Sequence, residues 1–167
     1  MNGGMELYLH MPFCVRKCAY CDFLSFPTDQ ETQNLYTRRL REDIDAMGKK
    51  YGDIPVDTIF IGGGTPSVPD SALIVGIMEH VRKAFHVAEG AEISMEANPG
   101  TVTREKLTDY RRAGINRLSF GLQSANDREL KLLGRIHTWA EFLESFHLAR
   151  ECGFTNINID LMSALPG

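Results

Sequence analysis

Three of the four cysteines, Cys14, Cys18 and Cys21, lie within eight residues of one another. In a reducing compartment, clustered cysteines more often bind metal or carry out redox chemistry than form a disulfide framework. Cys152 stands far away in a helical pattern, where we expect a small buried apolar residue rather than a ligand. The cysteine pattern therefore predicts one metal or redox site.

The C-x3-C-x2-C spacing of these cysteines can hold three corners of a cubane iron–sulfur cluster and leave the fourth iron open. An ordinary four-iron electron carrier uses four cysteines, and a structural zinc site usually has four protein ligands. The spacing thus favours a cluster with an exchangeable position, with zinc or a non-metal role as alternatives. His10 could complete a zinc site, but its place in a strand-to-loop turn favours a structural role.

Strand patterns alternate with amphipathic helical patterns along the rest of the sequence. Strands are predicted at 5–11, 56–64, 91–100, 115–124 and 154–167. Helices are predicted at 31–47, 70–85, 103–114, 126–134 and 139–153. The predicted apolar face of the first helix is Tyr36, Leu40, Ile44 and Met47, and that of the second is Ile74, Ile77, Met78, Val81 and Phe85. The expected cap residues are Thr103, Gly114, and the capping-box pairs Asn126/Glu129 and Thr138/Glu141. This alternation predicts an α/β fold, a parallel sheet with helices packed outside it.

The distinctive polar and glycine residues fall at the predicted carboxyl ends of the strands. The cysteines follow the first strand and Gly62 to Thr65 follow the second, with Glu96, Gln123 and Asp160 near the ends of the next three. Ligand sites of parallel α/β sheets gather at this edge. The positions therefore predict a single site there.

Length and composition limit the class of protein. The chain of 167 residues fits one domain, and its net charge of −4 with scattered basic residues gives no indication of a nucleic-acid surface. Its start lacks the pattern of a secretory signal, and its apolar runs are too short to cross a bilayer. We expect a cytoplasmic protein without a transmembrane segment. Since about five strands cannot close a barrel, we also expect that residues 1–167 are the N-terminal part of a longer protein.

The three cysteines and Tyr20 form a C-x3-C-x-aromatic-C motif that resembles the radical S-adenosylmethionine (SAM) family. Six stretches in order, "YLHMPFC", "IFIGGGTPS", "SMEANP", "RLSFGLQS", "LGRIHT" and "NIDLMSALPG", resemble the subfamily of anaerobic coproporphyrinogen III oxidases and HemW-like haem chaperones. The resemblance runs from Met5 to Gly167. It implies a partial (β/α) TIM-like barrel of the radical SAM type, about five parallel strands with outer helices.

The resemblance also implies the cofactors. In the family the three cysteines hold a [4Fe–4S] cluster, SAM chelates the fourth iron, and one electron cleaves the sulfonium to a 5′-deoxyadenosyl radical and methionine. The implied SAM-binding residues are Tyr8, Gly63, Gly64, Thr65, Glu96, Gln123, Arg135 and Asp160. The glycines would let the backbone approach SAM, and Arg135 would make a forked pair with its carboxylate. Taken singly, each has an ordinary structural explanation, and no catalytic residue is assigned.

Phe23 distinguishes the two branches of the subfamily. The oxidases resemble C-x3-C-x2-C-x-C, whereas "CAYCDF" places phenylalanine at the last position, as in the HemW-like chaperones. The chaperone branch implies haem, a haem-acceptor protein and a reductant such as flavodoxin or ferredoxin as partners of the full-length protein. The oxidase, or another radical SAM enzyme of the subfamily, is the alternative. Phenylalanine cannot ligate iron, but it can also serve as an apolar cover for the cluster.

Overall fold

The computed structural model describes residues 4–165. Its strands are β1 (Met5–Met11), β2 (Val56–Gly63), β3 (Val87–Ala97), β4 (Arg117–Gln123) and β5 (Asn156–Leu161). Its helices are α1 (Gln30–Tyr51), α2 (Ser71–Ala84), α3 (Arg104–Arg112), α4 (Asp127–Leu132) and α5 (Trp139–Glu151). The last two residues of the predicted fifth strand lie outside the described range.

The five strands form one parallel sheet in the order β1-β2-β3-β4-β5. Each strand therefore neighbours the strand that precedes it in sequence, as expected for successive β-α-β units. Within residues 4–165 the two outer strands, β1 and β5, each have one neighbour only. The predicted open arc of five parallel strands is confirmed.

The hydrophobic core lies between one face of the sheet and the helices. Alternate residues of a strand point to opposite faces, and Ile93, Met95 and Ala97 of β3 are buried in the core cluster. The other face is polar near the carboxyl ends, where the Ser119 hydroxyl donates to Asp160 Oδ2 over 3.2 Å. This second face is therefore more polar than the packed apolar interior of a closed barrel.

Helix α2 buries the apolar face that its spacing predicts. Ile74, Ile77, Met78, Val81 and Phe85 are all buried in the core.

The prediction for α1 is only partly right. Its Ile44 is buried, but Met47, predicted on the same face, is exposed over 53% of its surface. Which residues of α1 are covered depends on where α2 packs against it, and periodicity does not contain that information.

The helix caps follow local sequence closely. Thr103 caps α3, and Thr138 and Glu141 form the predicted reciprocal capping box of α5. Gly114 follows the C-cap of α3 with φ +87°, a left-handed conformation that favours glycine. The reciprocal capping box predicted for α4 is not formed. Asn126 does cap that helix, but the Glu129 carboxylate accepts from the Ser124 hydroxyl instead.

Strand β3 differs from its predicted bounds. It begins at Val87, earlier than the predicted position 91, and Val87 pairs with Val56 at the start of β2.

Cys152 is the C-cap residue of α5 and packs, partly buried, against the core. This environment agrees with the apolar packing role predicted for Cys152.

Candidate cofactor site

The three cysteines lie in the segment between β1 and α1, which is referred to below as the cysteine loop (residues 12–29). Phe26 donates its backbone N–H to Pro12 O over 2.9 Å, which closes the base of the loop. The Ala19 N–H donates to Leu133 O over 3.1 Å, just after α4. The loop is therefore fixed at its base by its own backbone and at its middle by a distant part of the chain.

All three thiols are free, partly buried and on the wall of one open pocket. The Cys14 sulfur lies 3.6 Å from Thr65 Oγ1. The Cys18 sulfur accepts a hydrogen bond from Arg135 Nη1, also over 3.6 Å. The thiols thus face the glycine turn after β2 and the turn after α4.

The chemistry of the donor set suits an iron–sulfur cluster, because three free cysteine thiols lie on one pocket wall and cysteine thiolates are the usual ligands of such clusters. His10 has protein partners on both ring nitrogens: Nδ1 meets Tyr8 Oη at 3.0 Å and Nε2 meets Leu24 O at 2.9 Å. Both contacts support the structural role expected for His10.

The glycine turn after β2 is shaped by neighbouring protein atoms. Gly63 has φ +110°, and a Cβ there would lie 2.3 Å from His10 Cε1. A Cβ on Gly64 would lie 2.7 Å from the carbonyl oxygens of Met11 and Phe13. The turn pairs with the cysteine loop through Thr65 N–H, which donates to Phe13 O over 2.6 Å. Glycine is therefore required at both positions by the fold itself.

Glu96 closes the pocket from the end of β3. Its Oε2 accepts the Gly63 N–H over 2.9 Å. Burial raises the pKa of the Glu96 carboxyl; the Gly63 hydrogen bond opposes this shift, and the nearby Asp160 carboxylate adds to it. Tyr8 stacks on Phe60 beside this carboxyl, and burial likewise raises the pKa of its phenol. Glu96 is thus a partly buried acceptor positioned for a cationic or hydroxyl partner.

Arg135 is held on two sides. Its Nη2 donates to Asn98 Oδ1 over 2.7 Å and to Gly121 O. A Cβ on Gly121 would lie 2.8 Å from Asn98 Oδ1, so the glycine gives this arrangement its space. The forked pair expected of Arg135 would use Nη2 only if these contacts were released. Nη1 faces Cys18, while Nε is buried and has no hydrogen-bond partner in the part of the chain that the structure describes.

The ends of β4 and β5 supply the remaining polar groups. Gln123 is the last residue of β4 and adopts φ +70°, which is uncommon outside glycine. Among residues 4–165 its buried Oε1 has no hydrogen-bond partner, and Gln123 belongs to the pocket wall. Asp160 is exposed and is oriented by Asn158 Nδ2, which donates to Oδ1 over 2.7 Å. A strained backbone and an unsatisfied amide oxygen at one position are typical of a ligand site.

The structure brings nearly all the predicted site residues together. The pocket is lined by Cys14, Cys18, Cys21, Gly63, Gly64, Thr65, Glu96, Gln123, Arg135 and Asp160. Tyr8 is beside the pocket rather than in its wall, and its hydroxyl would lie 3.1 Å from a Cβ on Gly63. Phe23 also lines the pocket, with 66% of its surface exposed.

Sequence reasoning gave no role to seven residues of the wall: Arg16, Lys17, Ser25, Ala97, Asn98, Ser119 and Gly121. Of these, Asn98, Ser119 and Gly121 hydrogen-bond predicted SAM-binding residues. Asn98 stands in an Asn-Pro-Gly sequence, which indicates only the end of a strand. Gly121 did carry an indication, since a glycine inside a strand often marks a close approach of another group. Ser119 is one of many strand serines, and nothing in its sequence context distinguishes it.

Comparison with known sequences gives a consistent result. The pattern of the radical SAM superfamily matches residues 8–167. The chain is 44% identical to the haem chaperone HemW of Escherichia coli K12 over 97% of its own length and 43% of that protein. It is 38% identical to HemW of Bacillus subtilis, covering 96% of the chain and 42% of that relative. The chain thus spans less than half the length of these relatives.

Comparison with solved structures gives the same architecture. The chain superposes on coproporphyrinogen III oxidase (HemN) of Escherichia coli, described as a radical SAM enzyme, with a TM-score of 0.90 at 32% identity. The match covers 99% of the chain and 39% of that structure.

No helix within residues 4–165 has the length and apolar character needed to span a membrane.

Proposed function

The chain belongs to the radical SAM superfamily, and on this premise we propose that its pocket binds a [4Fe–4S] cluster and SAM. Cys14, Cys18 and Cys21 would ligate the cluster, since they are free thiols on one pocket wall. When bound and reduced, such a cluster supplies the electron that cleaves the sulfonium of SAM.

The other predicted residues would bind and orient SAM. Arg135 would meet the methionine carboxylate, and a forked pair would require release of the Nη2 contacts with Asn98 and Gly121. Glu96, Gln123 and Asp160 offer oxygen atoms to the SAM ammonium and ribose hydroxyls. Tyr8, whose hydroxyl lies beside Gly63 of the glycine turn, would pack near the ligand.

The whole protein functions as a haem chaperone that passes haem to an acceptor protein, with a flavodoxin or ferredoxin as reductant. The observation that carries this proposal is Phe23 in the pocket wall, where an oxidase of the subfamily would have a further cysteine. The identities of 44% and 38% to relatives named as haem chaperones support it.

Oxygen-independent coproporphyrinogen III oxidation is the second candidate. The TM-score of 0.90 to HemN favours it, because the fold of the chain is alike over 99% of its length. Because one fold can support both the chaperone and the oxidase activity, the fold does not distinguish them. Phe23 argues against the oxidase.

The cofactor proposal is tested by anaerobic reconstitution with iron and sulfide. The expected product has the absorbance of a [4Fe–4S] cluster and a paramagnetic signal on reduction. Cys14→Ala should abolish both, whereas the matched control Cys152→Ala should retain them, because Cys152 is the C-cap of α5 and not part of the pocket. Wild-type protein that binds one zinc and no iron would refute the proposal.

The chaperone proposal is tested with the full-length protein in two parallel assays. Haem titration should give stoichiometric binding, and haem should pass to an apo-cytochrome acceptor. Under the same anaerobic conditions, with SAM and reductant, coproporphyrinogen should give no protoporphyrinogen. Product formation without haem binding would establish the oxidase instead.

A further inference from the structure

We propose that Asn98 is a positioning residue that directs hydrogen-bond donors at the sulfurs of Cys14 and Cys18 and so raises the reduction potential of the cluster. The inference rests on the proposed [4Fe–4S] cofactor. It concerns the Thr65–Asn98–Arg135 triad, three side chains that connect the ends of β2 and β3 to the turn after α4.

The side-chain amide of Asn98 bridges the other two residues of the triad. Its Oδ1 accepts from Arg135 Nη2 over 2.7 Å, and its Nδ2 donates to Thr65 Oγ1 over 2.8 Å. A guanidinium has only donors, so the oxygen of the amide must face Arg135. The NH₂ group must then face Thr65, and the orientation of the amide is fixed.

This orientation decides what the Thr65 hydroxyl does. Because its oxygen accepts the hydrogen bond from Asn98, its own proton is free to point at Cys14 Sγ, 3.6 Å away. Thr65 is only 2% exposed, so little water competes for that proton. The amide of Asn98 therefore makes Thr65 a donor towards the sulfur.

The same amide orients the second donor. Asn98 Oδ1 and Gly121 O together hold Nη2 of Arg135, and this places Nη1 at 3.6 Å from Cys18 Sγ. Asn98 thus orients both the neutral donor Thr65 at the Cys14 sulfur and the cationic donor Arg135 at the Cys18 sulfur.

Asn98 is itself rigidly placed. Its N–H donates to Ser67 Oγ over 3.3 Å, and its carbonyl accepts from the Thr101 hydroxyl over 2.7 Å. Ser67 supports the backbone of this turn and hydrogen-bonds Thr101, but it is not part of the pocket wall. Ser67 therefore provides a control for loosening of the turn.

Hydrogen bonds to cluster sulfurs are among the factors that set the reduction potential. Reduction adds negative charge, so donors and a guanidinium at the cysteine sulfurs stabilise the reduced state more than the oxidised one. Removing them makes the potential more negative.

The test is an EPR-monitored redox titration of the reconstituted cluster, with iron and sulfide content measured on each sample. Thr65→Val, which replaces the hydroxyl with a methyl of similar shape, should shift the midpoint potential to a more negative value. Asn98→Ala should shift it further, because both sulfurs lose an oriented donor. The double variant should shift by less than the sum of the single variants, because Asn98 acts at Cys14 through Thr65.

Ser67→Ala, at wild-type iron content, should leave the midpoint potential unchanged. The inference is overturned if Thr65→Val and Asn98→Ala carry full clusters with the wild-type potential, if their shifts are additive, or if Ser67→Ala shifts the potential equally. If Asn98→Ala does not load a cluster, Thr65→Val decides the question alone. A wild-type chain that takes up no iron would refute the cofactor proposal instead.

Discussion

At the scale of single residues, the site is shaped by close contacts between backbone segments. The glycine turn and the cysteine loop touch so closely at Gly64 that an added Cβ would meet two carbonyl oxygens at 2.7 Å. Backbone atoms cannot move aside as a flexible side chain does. The same contacts that fix the turn therefore also fix the segment that carries Cys14.

Gly64→Ala is expected to lower the free energy of unfolding by about 1–3 kcal/mol, the usual effect of overpacking, and to reduce iron uptake on reconstitution. Gly100→Ala is the matched control, because a Cβ there meets nothing within 4 Å and only the φ of +77° is unfavourable. The control should lose some stability but reconstitute fully. Equal iron uptake by the two variants would contradict this explanation.

His137 is a second residue for which we expect a measurable effect on the stability of the fold. It is only 5% exposed. Burial, together with the neighbouring Arg135 charge, lowers the pKa of His137 from 6.5 to about 4. The imidazole is therefore neutral in the folded protein at neutral pH.

The pH dependence of stability follows from this shift. Above pH 6.5 both states are neutral at His137 and its contribution is complete. As the pH falls from about 6.5 to about 4, only the unfolded state gains the proton, so the free energy of unfolding decreases by up to about 3 kcal/mol. Chemical denaturation at several pH values measures this slope, and His137→Gln should flatten it. An unchanged slope in the variant would assign it to other groups.

At the scale of elements, local chemistry made the fold predictable. The order of strands and helices, and the caps Thr103 and Thr138, depend on residues adjacent in sequence, and all agree with the structure. The errors at Met47 and Glu129 have a common cause. Each concerns a partner supplied by tertiary packing, the covering helix for Met47 and the Ser124 hydroxyl for Glu129.

The candidate site was likewise predictable where it depends on the local sequence and not where it depends on tertiary packing. The carboxyl-end rule placed the cysteines, glycines and carboxylates at one edge because it depends only on strand direction. It could not indicate Asn98, whose importance comes from standing between Thr65 and Arg135 in space. A residue that joins two others across the sheet leaves no periodic pattern.

The capping box of α5 gives a test at this scale. Thr138→Ala removes the acceptor for the Glu141 N–H and should lower the free energy of unfolding by about 1 kcal/mol. Asn126→Ala at α4 should cost a similar amount although no reciprocal bond exists there, because Asn126 alone accepts from the Arg128 N–H. Denaturation curves of both variants check this. A loss at Thr138 several times that at Asn126 would show that the reciprocal bond dominates.

At the scale of the molecule, the described sheet has an outer strand with apolar surface. In residues 4–165, β5 pairs only with β4, and its Ile159 and Leu161 are 37% and 68% exposed. Unpaired edges with apolar side chains favour association between chains. The 167-residue chain should therefore associate as its concentration rises.

Leu161→Lys should weaken that association, because a charge on an edge strand opposes strand addition. Sedimentation velocity over a range of concentrations measures the effect. Leu35→Lys, on the exposed surface of α1, is the matched control and should change nothing. A wild-type chain that sediments as a monomer at all concentrations would contradict the prediction.

The anchor of the cysteine loop at Leu133 has a consequence for synthesis. Ala19 and its partner Leu133 are far apart in sequence, so the ribosome makes the thiols roughly ten seconds before the backbone that holds them. During that interval the loop has its contacts with earlier parts of the chain, such as the base at Pro12 and Phe26 and the Thr65 N–H bond to Phe13 O, but not its anchor at Leu133. Insertion of the proposed cluster into its final geometry would therefore follow translation of α4.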